Sequence, residues 1–284
     1  MSNLGCADRP GEQFTHAMHD AGLAHRHTSS MSDERIELRL QGLDEAEPGA
    51  AWRALWDGTA DAYRAWWRSD GDDARPPYAE SRRALLAHMP ELVPTWSRLV
   101  ELAGGGDLAA RLLALWSPPA FIRGCSQAAR SGPQPLLVRN YDYDPRLFEG
   151  VVSRTSYTGR TLLGTNDCLW GLLDGVNEDG LAVSLAFGGV PDEQPGFAIP
   201  LVLRYVLDTC TTSEQAAAVL RRVPVNMAYN VTTVDRRGVA LTTAVRPRRA
   251  ARTHAARVAT NHQDGRVEWE HLGRTSRTIE REQR

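Results

Sequence analysis

The sequence contains no lysine: all 33 basic residues among its 284 are arginine. A lysine Schiff base is therefore excluded, and with it ordinary pyridoxal-phosphate chemistry. A phosphate-binding P-loop is excluded as well, because that motif needs a lysine on the phosphates. Codon bias in a GC-rich genome explains this composition better than a functional demand does.

Cysteines and long apolar runs are also scarce. The four cysteines are Cys6, Cys125, Cys168 and Cys210, and no two of them form the C-x-x-C spacing of a metal or redox pair. Such a low density does not indicate a disulfide framework. No run approaches the ~20 apolar residues of a membrane helix, and a net charge of -2 creates no field that attracts nucleic acid. We therefore expect a cytoplasmic protein that binds neither nucleic acid nor membrane.

The first part of the chain predicts helices. Apolar residues recur at spacings of three and four between residues 50 and 120, which is the period of an amphipathic helix. Residues 1–30 are polar and lack the apolar stretch of a signal peptide, so we expect a disordered tail with Met31 as an alternative start. Residues 31–124 are then predicted to form a helical segment.

The character of the sequence changes after Gly124. Apolar and β-branched runs predict strands, with hairpin turns at residues 175–179 and 236–238. Two helices are predicted between these hairpins, at residues 200–209 and 213–222. Helices that precede a mixed region indicate an α+β fold rather than alternating βαβ units.

Five short motifs follow one another from Gly124 onward. They are Gly124-Cys125-Ser126, Arg139-Asn140-Tyr141-Asp142-Tyr143, the run 174–183 that begins with Asp174, Tyr229-Asn230 and Thr260-Asn261-His262. In this order they resemble the N-terminal-nucleophile hydrolases of the penicillin acyltransferase type, which are distant relatives of the bile salt hydrolases. The resemblance implies a four-layer αββα sandwich, made as an inactive precursor and preceded by a helical pro-segment. Residues 125–284 would form its catalytic region.

The resemblance implies cleavage between Gly124 and Cys125. The freed α-amino group of Cys125 then serves as the base for its own thiol. A thiol titrates near ~8.5 and an α-amine near ~8, so the two groups are matched for proton transfer near neutral pH. Gly124 suits the upstream side of the bond because a residue without a Cβ accepts a contorted backbone. No metal or cofactor is needed for this chemistry.

The resemblance also implies roles for four further residues. Arg139 supports the thiolate and substrate, Asp142 orients the amino group, Asn230 binds the oxyanion, and Arg277 is a late site residue. Strand alternation alone would place Arg139 and Asp142 on opposite faces, so their pairing requires a bend near Tyr141.

Two departures from the family pattern stand out. The bile salt hydrolases carry an oxyanion Asn in the stretch that corresponds to residues 184–189, and no Asn occurs here, so we expect a backbone N–H in its place. The polar end of the chain soon after Arg277 suggests that a further C-terminal segment is missing. Residues 236–284 hold twelve Arg against five acidic residues. We interpret this excess as a solvated face, with the phosphates of coenzyme A or another anionic substrate as the alternative.

Together these features predict a cysteine hydrolase or acyltransferase that acts on linear amide or thioester bonds of a small molecule. We expect the pro-segment to stay associated with the catalytic chain after cleavage, because its apolar stripes need a partner. One alternative is a papain-like thiol hydrolase in which His262 activates Cys125. The other is a non-catalytic binding protein that keeps the fold.

Overall fold

The structure is a computed structural model that describes residues 38–121, 124–142, 145–190 and 193–263. The expected tail, residues 1–30, and Arg277 lie outside these described residues. The α-helices are α1 (Ala50–Trp67), α2 (Tyr78–His88), α3 (Val93–Leu102), α4 (Asp107–Ala114), α5 (Ile199–Thr209) and α6 (Ser213–Arg222). The strands are β1 (Gln41–Glu45), β2 (Cys125–Arg130), β3 (Leu136–Tyr141), β4 (Val151–Thr155), β5 (Leu162–Asp167), β6 (Gly171–Asn177), β7 (Ala182–Phe187), β8 (Tyr229–Val234), β9 (Ala240–Val245), β10 (Arg252–Ala255) and β11 (Val258–Ala259).

The strands form two sheets. The larger has eight strands in the order β1-β4-β5-β6-β7-β8-β9-β10, and the smaller has three in the order β11-β2-β3. Apart from the parallel pair of β1 and β4, neighbouring strands are antiparallel. Helices combined with large sheets confirm the predicted α+β class. None of the helices among the described residues has the length and apolar character needed to cross a bilayer.

The two sheets face each other, and helices α5 and α6 cover the other side of the larger one. Two adjacent residues of β6, Asp174 and Gly175, indicate what covers each face of the large sheet, because successive side chains of a strand point to opposite sides. Asp174 accepts a hydrogen bond from Arg139 of the small sheet at 2.8 Å, whereas a Cβ on Gly175 would lie 3.1 Å from Leu207 of α5. The described residues thus form three layers, helix, sheet and sheet, of the four that were expected.

Local sequence signals account for several of these elements. The side chain of Thr212 caps α6 by accepting from the backbone N–H of Gln215 at 3.3 Å. The predicted turn at residues 175–179 is wrong in position, because β6 continues to Asn177. Gly175 instead lies within β6 and allows the strand to pack closely on β5, since a Cβ there would lie 2.8 Å from the carbonyl oxygen of Leu163.

The N-terminal helices pack on one end of the large sheet. The indole N–H of Trp52 in α1 donates to the carbonyl of Leu169 at 3.0 Å, and that of Trp170 donates to Leu113 in α4 at 3.0 Å. This segment is not wholly helical, since β1 pairs with β4 at the edge of the large sheet. Leu43 is the only apolar residue with a buried side chain in β1, so the strand has too little alternation to be predicted.

Two carboxyl groups are buried where α1 meets the large sheet. The hydroxyl of Tyr63 hydrogen-bonds to Glu149 and lies 3.4 Å from Asp167 Oδ1, and it accepts from the backbone N–H of Cys168 at 3.0 Å. Burial raises the pKa of both carboxyl groups. For Asp167, burial and then the charge of Glu149 raise the pKa to about 8. We therefore infer that Asp167 keeps its proton near neutral pH.

We expect Asp167→Asn to change how stability depends on pH. The carboxyl ionises near pH ~4 in the unfolded chain, whereas its pKa in the folded chain is about 8. Between these values the folded state holds the additional proton, so the free energy of unfolding of the wild type falls as pH rises. Urea unfolding between about pH 5 and about pH 8 should show this fall relative to the Asn variant.

Asp44→Asn is the matched control, because Asp44 is exposed and the hydrogen bond from Arg154 lowers the pKa of its carboxyl. The difference between the wild type and this variant should stay constant over the same range. A wild-type free energy of unfolding that does not fall relative to Asp167→Asn would contradict a buried, protonated carboxyl.

Candidate active site

Cys125 is the first residue of β2, the middle strand of the small sheet, and has no exposed surface. Its backbone N–H donates to Oδ1 of Asn261 at 3.0 Å. Gly124, directly before it, packs so closely that a Cβ would lie 2.5 Å from the carbonyl oxygen of Asp142. The bond predicted to be cleaved therefore lies directly before β2 in a tightly packed region. A residue larger than glycine at position 124 would require a shift of the backbone.

Arg139 of β3 holds the sulfur of Cys125. Its Nη1 lies 3.2 Å from Sγ, and its Nε donates to Oδ2 of Asp174 at 2.8 Å. The guanidinium also lies over the ring of Tyr141, at 5.2 Å from the ring centroid. With a side chain only 6% exposed, Arg139 is a cation in fixed geometry beside the thiol, and its predicted role toward a thiolate stays a prediction.

Two opposing effects act on the Cys125 thiol. Burial raises the pKa of this thiol, while the charge and hydrogen bond of Arg139 and the backbone N–H of Asp142 lower it. The carboxylate of Asp142 adds a smaller increase, and the net result is a raised pKa. While the nitrogen of Cys125 remains in a peptide bond, the thiol is therefore protonated near neutral pH.

The carboxylate of Asp142 lies on the side of Ser126 and Asn140. It accepts from Ser126 Oγ at 3.2 Å and contacts the side-chain amide of Asn140. Ser126 is adjacent to Cys125 and Asn140 is adjacent to Arg139, so both point to the opposite face of the small sheet. The side chains of Arg139 and Asp142 therefore lie on opposite faces, as strand alternation predicts, and the bend expected near Tyr141 does not pair them. The proposed role of Asp142 toward the amino group remains a prediction.

Asn230, the second residue of β8, is buried and fully hydrogen-bonded. Its Nδ2 donates to the carbonyl of Thr260 at 2.9 Å and to that of His262 at 2.8 Å. Its Oδ1 lies 3.3 Å from Nε2 of Gln263. Both N–H groups are thus engaged by backbone carbonyls, and in this arrangement neither is left to bind an oxyanion.

Two residues of the site received no role from the sequence. Asn261 lies 136 positions from the backbone nitrogen to which it bonds, and no spacing signals so distant a contact. Asp174 is half-buried in β6 and holds Arg139. A signal for Asp174 did exist, because a carboxylate within an otherwise apolar strand requires a partner.

Other features bear on the alternatives. Among the described residues, Arg139 hydrogen-bonds to Sγ of Cys125, and activation of the thiol by His262 stays an alternative prediction from the sequence. No cluster of three or more potential metal ligands occurs in the part of the chain that the structure describes. Arg277 lies outside that part.

Two facing sheets with a buried thiol at the start of a central strand agree with the resemblance to N-terminal-nucleophile hydrolases. Residues 129–284 match the family of acyl-coenzyme A:6-aminopenicillanic acid acyl-transferases. The match covers more than half of the chain, so the chain belongs to this family, and the predicted resemblance is confirmed. The match begins after Cys125 and does not include the predicted nucleophile. No curated protein is significantly similar in sequence.

Among solved structures, the chain is similar to penicillin V acylase from Agrobacterium tumefaciens, with 18% identity, a TM-score of 0.29, and coverage of 49% of this chain and 44% of that one. It is also similar to a Caenorhabditis elegans N-acylethanolamine-hydrolyzing acid amidase ortholog, with 16% identity, a TM-score of 0.37, and coverage of 50% of this chain and 75% of that one. A variant of conjugated bile acid hydrolase from Clostridium perfringens matches with 13% identity, a TM-score of 0.29, and coverage of 52% of this chain and 48% of that one. The chain thus spans less than half the length of the penicillin V acylase.

We expect Arg139→Gln to raise the pKa of the Cys125 thiol, because both the charge and the hydrogen bond that favour the thiolate are lost. Asp142→Asn should lower the same pKa, since a carboxylate disfavours a nearby thiolate. The measurement is the rate of alkylation of Cys125 by a small reagent as a function of pH, followed by mass spectrometry.

Arg154→Gln is the control, because Arg154 pairs with Asp44 at the exposed edge of the large sheet. This variant should leave the pH profile of Cys125 unchanged. If Arg139→Gln leaves it unchanged too, the guanidinium does not act on the thiol.

Proposed function

We propose that this chain is the precursor of a cysteine hydrolase or acyltransferase of the N-terminal-nucleophile class. Cys125 would act on linear amide or thioester bonds through an acyl-enzyme, after cleavage of the bond that joins it to Gly124. The observation that carries this proposal is that both reactive atoms of Cys125 are hydrogen-bonded: Asn261 accepts from its nitrogen, and Arg139 donates to its sulfur. The nitrogen, which would be the base, and the sulfur, which would be the nucleophile, thus have fixed positions before cleavage frees the amine.

The proposed cleavage uses groups of two adjacent residues, Gly124 and Cys125. Sγ of Cys125 adds to the carbonyl carbon of Gly124, and the C–N bond breaks as the nitrogen takes the thiol proton. Water then hydrolyses the resulting thioester, which leaves a carboxylate on Gly124 and a free thiol and amine on Cys125. The close packing of Gly124 against Asp142 favours this step by restricting the carbonyl to few orientations.

In turnover, the free amine takes the thiol proton and the thiolate attacks the substrate carbonyl. The amide NH2 of Asn261 is the donor that we propose for the oxyanion, because this side chain already lies against Cys125. The protonated amine then protonates the leaving group, and water or an amine acceptor releases the acyl group. Asn230 is reassigned as a positioning residue, which holds Asn261 through the carbonyls of Thr260 and His262.

Two further parts of the proposal concern the rest of the chain. Asp142 would orient the freed amine, and Arg277 would complete the site. The N-terminal segment would remain bound after cleavage, since Trp52 and Tyr63 each hydrogen-bond to the catalytic region. The completed protein would have the four-layer αββα arrangement, and the reaction would need no metal or cofactor, because the thiol and amine supply nucleophile and base.

Cys125→Ala should abolish self-cleavage, because no nucleophile then faces the carbonyl of Gly124. Intact-mass spectrometry of the purified wild type should show two fragments that meet at the bond between residues 124 and 125. The Ala variant should show one chain of full length. Cleavage of this variant at the same bond would refute self-processing.

Cys210→Ala is the matched control, because Cys210 is equally buried and lies outside the site. It should be cleaved as the wild type is. In the cleaved wild type, Cys125 should react with a small electrophile much faster than Cys210. Equal reactivity would favour the non-catalytic binding protein instead.

Asn261→Asp separates the two proposed functions of Asn261. The variant keeps an oxygen for the nitrogen of Cys125 but loses the NH2, which we propose also stabilises the oxyanion that forms on the Gly124 carbonyl during self-cleavage. We therefore expect self-cleavage to slow by about 100-fold or more, as for other lost oxyanion donors. Because Asn261 is buried, the new carboxyl also lowers the free energy of unfolding, so cleavage is compared under conditions in which the urea curve shows the variant fully folded. Both quantities are measurable on the full chain, by a cleavage time course and by urea unfolding of a Cys125→Ala background.

Asn230→Ala tests the alternative donor. It removes the N–H groups that donate to the carbonyls of Thr260 and His262, so stability should fall by about 1–3 kcal/mol as cleavage slows. If Asn230→Ala slows cleavage at unchanged stability while Asn261→Asp has no effect, then Asn230 is the oxyanion donor after all.

A further inference from the structure

The chain that leads to the predicted cleavage site is held at Phe121, three residues before Gly124. The hydroxyl of Tyr229, the first residue of β8, donates to the carbonyl of Phe121 at 3.3 Å. The ring of Phe121 lies edge-to-face with that of Trp66 in α1, and the ring centroids are 5.3 Å apart. The catalytic region thus holds the backbone of Phe121, and the N-terminal segment holds its side chain.

The hydroxyl of Tyr229 has a fixed position. The side chain is fully buried, and its ring lies edge-to-face with Phe187 at the end of β7, 6.4 Å between centroids. The hydroxyl also lies 3.7 Å from the sulfur of Met227. A thioether is a weaker acceptor than a carbonyl oxygen, so the single proton of this hydroxyl favours Phe121 over Met227.

Trp66 is fixed on the other side of Phe121. Its buried ring lies edge-to-face with that of Tyr63, at 5.9 Å between centroids, which is a favourable arrangement of two aromatic rings. The hydroxyl of Tyr63 hydrogen-bonds to Glu149 and accepts from the backbone N–H of Cys168. The ring contact with Phe121 therefore joins the segment before the cleavage site to an anchored part of α1.

The contacts at Phe121 restrict the position of the bond between Gly124 and Cys125. Three residues span at most about 10 Å, and Gly124 packs against the carbonyl of Asp142. A chain that is fixed at both ends over so short a distance has few conformations left. Sγ of Cys125 can add to the carbonyl of Gly124 only from a narrow range of positions, so this restraint raises the fraction of molecules that can react.

We propose that Tyr229 and Trp66 are positioning residues for self-cleavage, which act by holding Phe121. The N-terminal segment then has a function before cleavage, because it helps to place the bond that is broken. This inference rests on the proposed function, since it concerns the cleavage that the proposed function requires.

Tyr229→Phe removes the hydroxyl and keeps the ring. We expect self-cleavage to slow by about tenfold, the effect of one lost hydrogen bond to a neutral acceptor. The rate is measured on the full chain by intact-mass spectrometry after refolding from urea. Once the bond is broken, Phe121 no longer acts on Cys125 through the chain, so alkylation of Cys125 in the cleaved variant should proceed as in the wild type. A merely structural role would slow both.

Tyr205→Phe is the matched control. Tyr205 is buried as well, and its hydroxyl donates to Glu91 at 2.9 Å, but it belongs to α5 on the other side of the large sheet. This variant should be cleaved at the rate of the wild type.

Trp66→Phe should also slow self-cleavage, because a smaller ring loses part of the contact with Phe121. Its control is Trp56→Phe, the same change at a buried position of the same helix, where the ring stacks on Trp52. This control should be cleaved as the wild type is. Urea unfolding of each variant in a Cys125→Ala background gives the conditions in which all are folded, and the rates are compared there.

Unchanged cleavage in Tyr229→Phe or in Trp66→Phe would overturn the proposal. So would a slowing that the matched controls share, or slower alkylation of Cys125 in cleaved Tyr229→Phe. These results leave self-cleavage of the wild type intact and so contradict only this inference. A wild type that is never cleaved would overturn the proposed function and this inference together.

Discussion

The candidate site depends on the backbone of β2 lying between β3 and β11. On one side of β2, Cys125 pairs with Tyr141 of β3. On the other side, Gln127 pairs with Ala259 of β11, and Asn261 follows Ala259 by two residues. The strand can begin at Cys125 because Gly124 has no Cβ to meet the carbonyl of Asp142. This one pairing brings Arg139 to the sulfur of Cys125 and Asn261 to its nitrogen.

A network of buried amides supports that pairing. Nε2 of Gln127 donates to the carbonyl of Asn230 at 2.8 Å, and Nε2 of Gln263 lies 3.1 Å from the carbonyl of Val245. Asn230 in turn holds the residues on both sides of Asn261. Each of these side chains is satisfied, and a satisfied buried network rigidifies the groups that it joins, whereas a broken one is costly. The position of Asn261 is therefore set by several bonds that do not themselves touch the sulfur of Cys125.

Arg139 links the site to the interface with the N-terminal segment. Its charge lowers the pKa of the Cys125 thiol and also that of the Asp167 carboxyl, while burial raises both. Asp167 in turn contacts Tyr63 of α1. One buried cation thus acts on the proposed nucleophile and on a carboxyl at the contact with α1, where a charge is costly because water is excluded.

The sequence determined the local features by itself. Helices α5 and α6 and the hairpin of β8 and β9 agree with the predicted segments, because period and turn residues lie within each segment. Cys125, Arg139 and Gly124 were predicted as site residues from motifs. The partner of Arg139 lies 35 positions away, and that of the Cys125 nitrogen 136 positions away. Only the packing of the two sheets decided these contacts, and with them the positions of Asp174 and Asn261 and the engagement of Asn230, because a hydrogen bond depends on distance in space and leaves no period along the chain.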